Sequence, residues 1–272
     1  MSEIVRSLEA AVAIIEDGMS VVVAPDHSGV AMAATRALIR RGARGLDLLT
    51  LPASSLQADM LIGAGCLASI ETSAVAMGEL GTGPRFAAAV MAGALVVKDA
   101  TCPVLHAAIQ AGEKDVPFAL LRGVIGSDLL RVRPDWKVID NPFGEDDPIL
   151  AVPAIKPDVA LFHAPFADRR GNVWVGRRRE LFTMAHASAK TVVTVEELHD
   201  GDLLEDEFLS GATIPAFYIE AVVVAPKGAW PLRFANRYAE DGAHLQEYMR
   251  LAASDQGFRR YLDRYVYESR AA

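Results

Sequence analysis

The strongest constraint on the fold of this chain is a series of short apolar runs that alternate with segments of helical periodicity. The apolar runs lie at residues 19–24, 46–51, 66–72, 95–97, 118–121, 159–163 and 191–195. Runs of this length, rich in β-branched residues, are typical of strands that are buried on both faces of a sheet. Because helical segments connect successive strands, we expect right-handed crossovers. The pattern therefore predicts a three-layer α/β/α fold around a mostly parallel open sheet.

The predicted helices are recognised by apolar residues three and four positions apart and by the residues at their ends. They lie at residues 8–15, 30–41, 84–92, 103–111 and 181–189. Gly18 and Gly42 suit the left-handed conformation that follows many helices, and Pro84 suits a first helical turn. The proline-rich stretch 133–157 falls between predicted elements, so we expect it to form a long surface excursion.

The composition excludes several classes of protein. The 27 Lys and Arg residues are outnumbered by 35 Asp and Glu residues, and the net charge of −8 argues against a nucleic-acid binder. No apolar run reaches the roughly 18 residues of a membrane helix, and no basic leader precedes an apolar segment. We therefore expect no membrane contact and a cytoplasmic location. The six histidines show no ligand spacing, so no metal site is predicted, and both cysteines are expected to be buried thiols.

The last part of the chain differs in composition from the rest. Residues from 227 onward carry eight of the nineteen aromatic residues. We therefore divide the chain into an α/β domain at 1–226 and an aromatic-rich helical extension at 227–272, packed on the domain or on a partner subunit. One apolar stripe at helical spacing consists of Phe258, Tyr261, Leu262 and Tyr265. Because Tyr, Trp and Arg are enriched at interfaces, the sequence favours contact between this stripe and a partner subunit.

Polar residues follow the first predicted strand, at the edge of a parallel sheet where ligands bind. These residues are Asp26, His27, Ser28 and Gly29. Their side chains suit contact with a substrate, and the N–H groups at the start of the following helix suit an anion. Asp, Ser and Gly also favour a helix cap and a turn, so a purely structural role stays open.

A second, glycine-rich segment leads from a predicted strand into the helix at 84–92. Its candidate binding residues are Gly78, Gly81, Gly83 and Arg85. Glycines let the backbone approach a ligand closely, and Arg85 near a helix start favours a carboxylate or a phosphate. A flexible loop without a function is the alternative. If both segments bind, they line one pocket for an anionic substrate, because both lie at the same edge of the sheet.

Two further groups of charged residues are candidates. Five arginines lie at positions 169, 170, 177, 178 and 179, around a predicted hairpin turn at 171–172. Such a cluster suits either the phosphates of a nucleotide-like cofactor or an ion-pair network. Glu196 and Glu197 end the strand at 191–195, where a carboxylate serves as a general base or as a turn cap. The sequence leaves both pairs of alternatives open.

Several segments in one order resemble the alpha subunits of two-subunit family I CoA-transferases, most closely the glutaconate CoA-transferase branch. The matching segments are residues 17–23, 57–66, 117–123, 125–128, 151–159, 167–173 and 194–198. The likeness extends from about residue 8 to about residue 204. It implies a CoA-transferase-like fold and an alpha-type chain that works with a beta-type partner subunit in a hetero-oligomer.

The resemblance also implies a reaction. A glutamate borne by the beta chain attacks an acyl-CoA thioester, a glutamyl-CoA thioester forms, and a small carboxylic acid then takes the CoA. The Ser-Glu-Asn-Gly motif around that glutamate is absent here, so this chain is expected to carry no catalytic nucleophile. Coenzyme A is implied as a substrate, with no tightly bound cofactor. Arg122 and Gly123, in the matching segment 117–123, join the candidate substrate- or CoA-binding residues.

One departure from the family pattern lies in the loop after the first strand. The family continues with Gly-Gly-Phe, three residues, then Gly, any residue and Pro. This chain has Ala24, Pro25 and Asp26 at the first three positions, and Val30 and Met32 where the last Gly and Pro fall. Because that loop shapes the acyl and CoA pocket in the family, the identity of the substrate is not carried over.

Two alternatives to a transferase stay open. Some relatives in the family hydrolyse a carbon–carbon bond in cyclic CoA thioesters, which requires an acidic residue in the alpha chain. The region 95–105, where that residue is expected, offers only Asp99 as an acid, with Thr101 and Cys102 after it. A non-catalytic binding or regulatory subunit is the other alternative.

Overall fold

The computed structural model describes residues 4–268 and places a nine-stranded, mostly parallel sheet at their centre. The strands of the chain are β1 (Ser20–Val23), β2 (Leu46–Thr50), β3 (Leu67–Thr72), β4 (Val96–Asp99), β5 (Phe118–Leu121), β6 (Lys137–Asp140), β7 (Pro148–Pro153), β8 (Val159–Asp168), β9 (Val173–Trp174), β10 (Lys190–His199), β11 (Thr213–Ile214) and β12 (Ala221–Val224). The spatial order β12-β10-β8-β1-β2-β3-β4 is parallel at every step. Strand β9 pairs with β8, and β11 with β9, in antiparallel fashion.

Helices cover both faces of this sheet. They are α1 (Leu8–Val12), α2 (Met32–Arg41), α3 (Leu56–Gly63), α4 (Pro84–Met91), α5 (Cys102–Glu113), α6 (Leu129–Val132), α7 (Arg179–Ala187), α8 (Gly242–Ala252) and α9 (Asp255–Leu262). On one face α1, α2, α3, α8 and α9 enclose a first buried core, and on the other face α5 and α7 enclose a second. The predicted three-layer α/β/α fold is therefore confirmed. No helix within residues 4–268 is long and apolar enough to span a bilayer.

Alternation along β1 explains why residues 21–24 are apolar at every position. Val21 and Val23 of β1 belong to the first core, whereas Val22 and Ala24 belong to the second. Successive side chains of a strand point to opposite faces, so a strand between two helix layers requires apolar residues on both. The structure accordingly confirms the three strands predicted first in the sequence.

Two strands are longer than their apolar runs predict. The runs at 159–163 and 191–195 are only parts of β8 and β10, which pair in parallel register from Lys190 with Val159 to His199 with Asp168. Proline and charged residues in the second halves of both strands interrupt the apolar pattern. The prediction therefore ended both strands too early, because it depended on that pattern.

The stretch at 133–157 is not a structureless excursion. Its residues form β6 and β7, which pair with β5 in a separate, antiparallel sheet of three strands. The run at 118–121 has its predicted bounds but lies in this small sheet rather than in the parallel one. Strand β6 is exposed along its whole length. An exposed strand lacks the buried apolar pattern, so the sequence did not indicate it.

The apolar stripe of the C-terminal helices packs inside the chain itself. Phe258, Tyr261 and Leu262 of α9 are buried in the same core as α2 and α3. The Tyr261 hydroxyl lies 2.7 Å from His244 Nε2 on α8. The prediction that this stripe contacts a partner subunit is therefore wrong, because α2 and α3 present apolar side chains that α8 and α9 cover. The domain boundary at residue 226 stays a prediction.

A buried carboxylate joins α8 to α3 and α4. Asp59 on α3 accepts hydrogen bonds from the Tyr248 hydroxyl at 2.6 Å and from the backbone N–H groups of Arg85 at 3.2 Å and Phe86 at 2.7 Å. Burial raises the pKa of Asp59, and these hydrogen bonds oppose the increase. A buried carboxyl group is tolerated only with such partners. The contact therefore fixes the C-terminal helices against the rest of the chain.

The substitution Phe258→Ala tests whether α9 belongs to the core. Removing this buried ring is expected to lower the free energy of unfolding of the isolated chain by about 3–5 kcal/mol. Phe217→Ala is the matched control, because the Phe217 ring is 89% exposed and a change within about 0.5 kcal/mol is expected there. Urea unfolding followed by circular dichroism measures both values. Equal stabilities of the two variants would contradict the packing of α9 in the core.

Candidate active site

Two cavities adjoin each other at the carboxyl edge of the parallel sheet, where α/β folds of this kind bind ligands. The larger has a volume of about 750 Å³. We name it the arginine cavity because four arginines line it: Arg177, Arg178, Arg233 and Arg237. The smaller, of about 370 Å³, is named the loop cavity because Asp26, His27 and the segment 77–80 line it. His27 and Arg233 line both cavities, so one ligand can extend from one into the other.

The structure brings most of the first predicted segment to this site. Asp26 and His27 line the loop cavity, and His27 and Ser28 line the arginine cavity. The Ser28 hydroxyl donates to the carboxylate of Glu180 on α7, which lines the same cavity. Burial raises the pKa of Asp26, and hydrogen bonds with Ser55 oppose the increase. Asp26 is therefore a carboxyl group that holds a proton more readily than an exposed aspartate.

Gly29, the last residue of that segment, has a structural role beside the buried His163. Its carbonyl oxygen accepts a hydrogen bond from the His163 N–H at 2.7 Å, and its φ is +119°. A side chain at position 29 would overlap the His163 carbonyl group, and one at Gly228 would press on the His163 ring. Close packing and a left-handed backbone therefore both require glycine at position 29.

Part of the second predicted segment also reaches the site. Gly78 and Glu79 line the loop cavity. Gly81, with φ of +96°, lies in the turn that follows. Gly83 immediately precedes α4, where a side chain would overlap the Asp59 carboxylate. The structure thus places Gly78 at the cavity and gives Gly83 a packing role between α3 and α4.

Arg85 lies away from both cavities. Its guanidinium donates to the carbonyl oxygen of Ala252 at 3.2 Å and pairs with Asp255, at the junction of α8 and α9. It also lies over the Phe258 ring, 5.3 Å from the ring centroid. These partners stand more than 160 residues further along the chain, so no local pattern indicates them. The two predicted segments therefore meet at the loop cavity without the arginine that we expected there.

Arg122 and Gly123 lie directly after β5, on the small antiparallel sheet. Both are exposed, and neither is among the residues that line the two cavities. Arg122 pairs with the Asp147 carboxylate, and this hydrogen bond raises the pKa of Arg122. Their assignment to substrate or CoA binding stays a prediction.

The arginine-rich hairpin is divided between the site and the surface. Strands β8 and β9 pair on either side of the turn at 171–172, which confirms the predicted hairpin. Arg177 and Arg178 follow β9 and line the arginine cavity. Arg170 pairs instead with the Asp202 carboxylate. The ion-pair alternative from the sequence therefore holds for Arg170, while phosphate binding by Arg177 and Arg178 stays a prediction.

Glu196, one of the two carboxylates singled out on β10, is held by three hydrogen bonds. Its Oε1 lies 2.8 Å from His163 Nε2 and accepts from the Tyr238 hydroxyl at 2.8 Å, while its Oε2 accepts from the Lys227 N–H at 2.8 Å. Burial raises the pKa of Glu196, but these hydrogen bonds outweigh burial and lower the pKa from 4.5 to about 2. A carboxylate of this acidity is a poor proton acceptor at neutral pH. The three hydrogen bonds therefore favour a positioning role for Glu196 over that of a general base.

The two side-chain partners of Glu196, His163 and Tyr238, line neither cavity and were not singled out in the sequence. His163 is fully buried, with Nδ1 2.8 Å from Thr194 Oγ1 and its ring centroid 4.5 Å from that of Phe234. Burial lowers the pKa of His163 and raises the pKa of Tyr238, so both side chains are neutral at neutral pH. One signal was available for His163, because it is a polar residue at the end of an otherwise apolar run. Tyr238 lies outside any recognised pattern.

The segment 227–241 forms one wall of both cavities. Arg233 and Arg237 of the arginine cavity come from it, as does Glu240 of the loop cavity. Arg237 pairs with Glu197 of β10 at 2.6 Å, next to the hydrogen bonds made by the preceding glutamate. The segment that the sequence assigned to the start of a helical extension is therefore part of the site.

The two cysteines lie apart from the cavities, and residues 4–268 contain no group of side chains arranged to bind a metal ion. Cys66 is buried, and burial raises its pKa to about 11. Cys102 is exposed at the start of α5, 3.4 Å from the Ser73 hydroxyl, which corrects the expectation that both thiols are buried. In the same part of the chain, no three His, Cys, Asp or Glu side chains are grouped so as to hold a metal ion.

Comparison with known proteins agrees with this architecture. Residues 5–225 match the coenzyme A transferase family. The chain is 32% identical to the A subunit of 3-oxoadipate CoA-transferase from Pseudomonas knackmussii, over 98% of this chain and 94% of that protein. It is 31% identical to the A subunit of glutaconate CoA-transferase from Acidaminococcus fermentans, over 77% of this chain and 71% of that protein.

Solved structures extend the comparison to the whole fold. The crystal structure of glutaconate coenzyme A-transferase from Acidaminococcus fermentans superposes with a TM-score of 0.90 at 27% identity, covering 97% of this chain and 89% of that chain. A cysteine-to-serine variant of the decarboxylase AibA/AibB superposes with a TM-score of 0.82 at 30% identity, covering 96% of this chain and 100% of that chain. This chain belongs to the coenzyme A transferase family, in which it resembles the A subunits of two-subunit enzymes.

The substitution Glu196→Gln tests the hydrogen-bonded carboxylate. At pH 7 the variant is expected to lose about 1–3 kcal/mol of unfolding free energy, because charge-assisted hydrogen bonds are replaced by weaker ones. The folded-state pKa of about 2 lies below the ordinary 4.5, so the charge stabilises the fold above pH 4.5 and this contribution is lost as the pH falls toward 2. The difference between the two proteins should therefore shrink across that window.

Urea unfolding at pH 7, 5 and 3.5 provides the measurement. Glu197→Gln is the matched control, since the Glu197 side chain is 58% exposed, and loss of its ion pair should cost no more than about 1 kcal/mol. A difference between wild type and Glu196→Gln that stays constant down to pH 3.5 would contradict the assigned acidity of Glu196.

Proposed function

We propose that this chain is the alpha-type subunit of a two-subunit CoA-transferase that moves CoA from an acyl-CoA thioester to a small carboxylic acid. The observation that carries the proposal is the family match over residues 5–225, combined with two adjoining cavities at the carboxyl edge of the sheet. Similar proteins are named as the A subunits of 3-oxoadipate and glutaconate CoA-transferases. Because the Ser-Glu-Asn-Gly motif is absent from this chain, we assign the nucleophilic glutamate to a beta-type partner subunit.

The proposed reaction consists of two acyl exchanges. The partner's glutamate carboxylate attacks the thioester carbonyl, the C–S bond breaks, CoA leaves as the thiolate, and a mixed anhydride of the donor acid and the glutamate remains. The thiolate then attacks the glutamyl carbonyl of the anhydride, which releases the donor acid and leaves glutamyl-CoA. The acceptor acid reverses both steps and departs as the new acyl-CoA. One thioester is consumed and one is formed, so the exchange requires neither ATP nor a redox partner.

In this proposal the present chain supplies part of the binding surface. The turn at Gly78–Leu80 brings backbone to the loop cavity, and backbone N–H groups suit the oxyanion that develops on a thioester carbonyl. Asp26 lines the same cavity and stands where the family signature has Phe. A carboxyl group in place of an aromatic ring changes both the volume and the charge of the pocket. The acids accepted by the relatives are therefore starting points for a substrate screen.

The ring-opening hydrolase alternative finds little support at the site. Asp99, the one acid in the region 95–105, is exposed at the end of β4, and its carbonyl oxygen accepts a hydrogen bond from Arg133 at 3.0 Å. It is not among the residues that line the two cavities. One of the structural relatives is named as a decarboxylase. The products of the assay below distinguish CoA transfer from decarboxylation and from non-catalytic binding.

The isolated chain is expected to show no CoA transfer, and the complex with its co-expressed beta-type subunit is expected to be active. The physical reason is that the attacking carboxylate belongs to the partner. Acyl-CoA donors are incubated with a panel of acids that includes 3-oxoadipate and glutaconate, and products are followed by liquid chromatography and mass spectrometry. Transfer gives one new acyl-CoA for each donor acid released.

Intact-mass spectrometry of both proteins, following incubation with donor alone, gives the second readout. The partner should gain the mass of CoA less one water, while this chain should stay unchanged. Robust transfer by the lone chain, or a CoA adduct on it, would overturn the assignment of the nucleophile. Gain of water or loss of carbon dioxide by the donor thioester, without formation of the CoA thioester of the acceptor acid, would identify a hydrolase or a decarboxylase instead.

A further inference from the structure

We propose that the arginine cavity binds the 3′-phosphorylated ADP end of coenzyme A. The inference rests on the proposed function, which makes CoA a substrate. The charged side chains that line this cavity are four arginines and one carboxylate, Glu180, with His27 beside them. Glu180 already accepts a hydrogen bond from the Ser28 hydroxyl. The cavity therefore carries an excess of positive charge that suits a polyanion.

Two of the four arginines are already held by the protein, and two remain available to a ligand. Arg237 pairs with Glu197, and Arg178 donates to a backbone carbonyl group at 3.2 Å. The guanidinium groups of Arg177 and Arg233 make no ion pair or hydrogen bond with any residue between 4 and 268. A guanidinium presents several N–H donors in a planar fork, the geometry that matches phosphate oxygens. A phosphorylated ligand therefore supplies hydrogen-bond acceptors for both guanidinium groups.

Arg177 and Arg178 follow a well-packed part of the hairpin. Trp174 of β9 stacks on Phe166 of β8, with ring centroids 4.8 Å apart and planes within 5°. Gly176, with φ of +63°, lies against the Trp174 ring and turns the chain toward Arg177 and Arg178. Two adjacent guanidinium groups repel each other, and a bound phosphate relieves that repulsion. Because the backbone is already fixed, little ordering free energy is lost on binding.

Size and charge distinguish the CoA nucleotide from the acid substrate as the occupant. A volume of about 750 Å³ lies in the upper half of the range of roughly 300–1,000 Å³ for cavities that bind small molecules. A short carboxylic acid would fill only a small part of it, and a carboxylate matches one guanidinium fork. The nucleotide end of CoA carries three phosphate groups, which match arginines that lie apart. The shared wall of His27 and Arg233 then directs the pantetheine arm toward the loop cavity.

Calorimetric titration of the full chain tests the proposal with defined probes: adenosine 3′,5′-bisphosphate, CoA, dephospho-CoA, pantetheine and inorganic phosphate. The bisphosphate and CoA should bind, dephospho-CoA should bind about tenfold more weakly or worse, and pantetheine should bind no more tightly than phosphate. Equal affinities of CoA and pantetheine would overturn the proposal. A response to inorganic phosphate as strong as that to the bisphosphate would show a general anion site and would also overturn it.

Arg177→Ala and Arg233→Ala locate the binding. Each should weaken bisphosphate binding by about tenfold or more, because one charge-assisted contact is lost. Arg169→Ala is the matched control, since Arg169 belongs to the same hairpin but is exposed and not among the cavity-lining residues, and it should bind as the wild type does. Thermal unfolding of each variant checks its folding, and Arg177→Lys provides a second variant that keeps the charge. Unchanged affinity in both alanine variants would refute the assignment.

Kinetic assays of the two-subunit complex distinguish failure of this inference from failure of the proposed function. If both are right, Arg177→Ala and Arg233→Ala raise KM for the acyl-CoA about tenfold while kcat and the KM for the acid change little. A complex that transfers CoA with unchanged KM in both variants refutes the nucleotide site and leaves the transferase intact. A complex that transfers no CoA, but whose bisphosphate binding depends on both arginines, refutes the transferase and keeps the nucleotide site.

Discussion

The parallel pairing of β8 with β10 is the interaction on which the candidate site depends. These strands stay in register to the pair of His199 with Asp168, whereas β1 pairs with β8 only as far as Leu161. Beyond the end of β1, the two strands carry His163 and Glu196 to the carboxyl edge. The hydrogen bond between these side chains links the strands there, and Glu196 also holds the segment 227–241. Both cavities therefore owe one wall to a strand pair that extends past its neighbours.

The fold was predictable where each strand is enclosed on both faces, and it was not where strands reach solvent. Val21, Val22 and Val23 of β1 alternate between two buried cores, so all three positions require apolar residues. Strand β6 contributes no buried residue, and its pairing with β7 depends on backbone hydrogen bonds that any sequence can make. The C-terminal stripe was recognised as buried, but a helical period does not say which surface covers it. Here α2 and α3 of the same chain do so.

Topology predicted part of the candidate site. The prediction failed where contacts with distant parts of the chain determine the position of a side chain. Asp26, His27 and Gly78 follow parallel strands, and the rule that such turns share one edge brought them together correctly. Arg85 obeys the same rule in the sequence, yet its guanidinium bonds to Ala252 and Asp255, which only the docking of α8 and α9 brings near. Tyr238 illustrates the reverse case. It has no local signature, and it is tied to β10 beside the cavities because Glu196 accepts a hydrogen bond from its hydroxyl group.

The two cavities differ in charge, and this difference bears on how a CoA thioester is oriented. The loop cavity is lined by Asp26, Glu79 and Glu240 against the single arginine Arg233, whereas the arginine cavity has four arginines against one glutamate. The carboxylates of the loop cavity repel the polyanionic end of a CoA thioester but not its uncharged thioester end. The arginine cavity attracts the phosphates. Under the proposed assignment, this chain fixes the direction of the substrate, and the partner's carboxylate then meets a thioester that is already positioned. Asp26, which stands in the loop that departs from the family signature, lines the loop cavity alone, so under this assignment its carboxyl group bears on acyl recognition and not on nucleotide recognition.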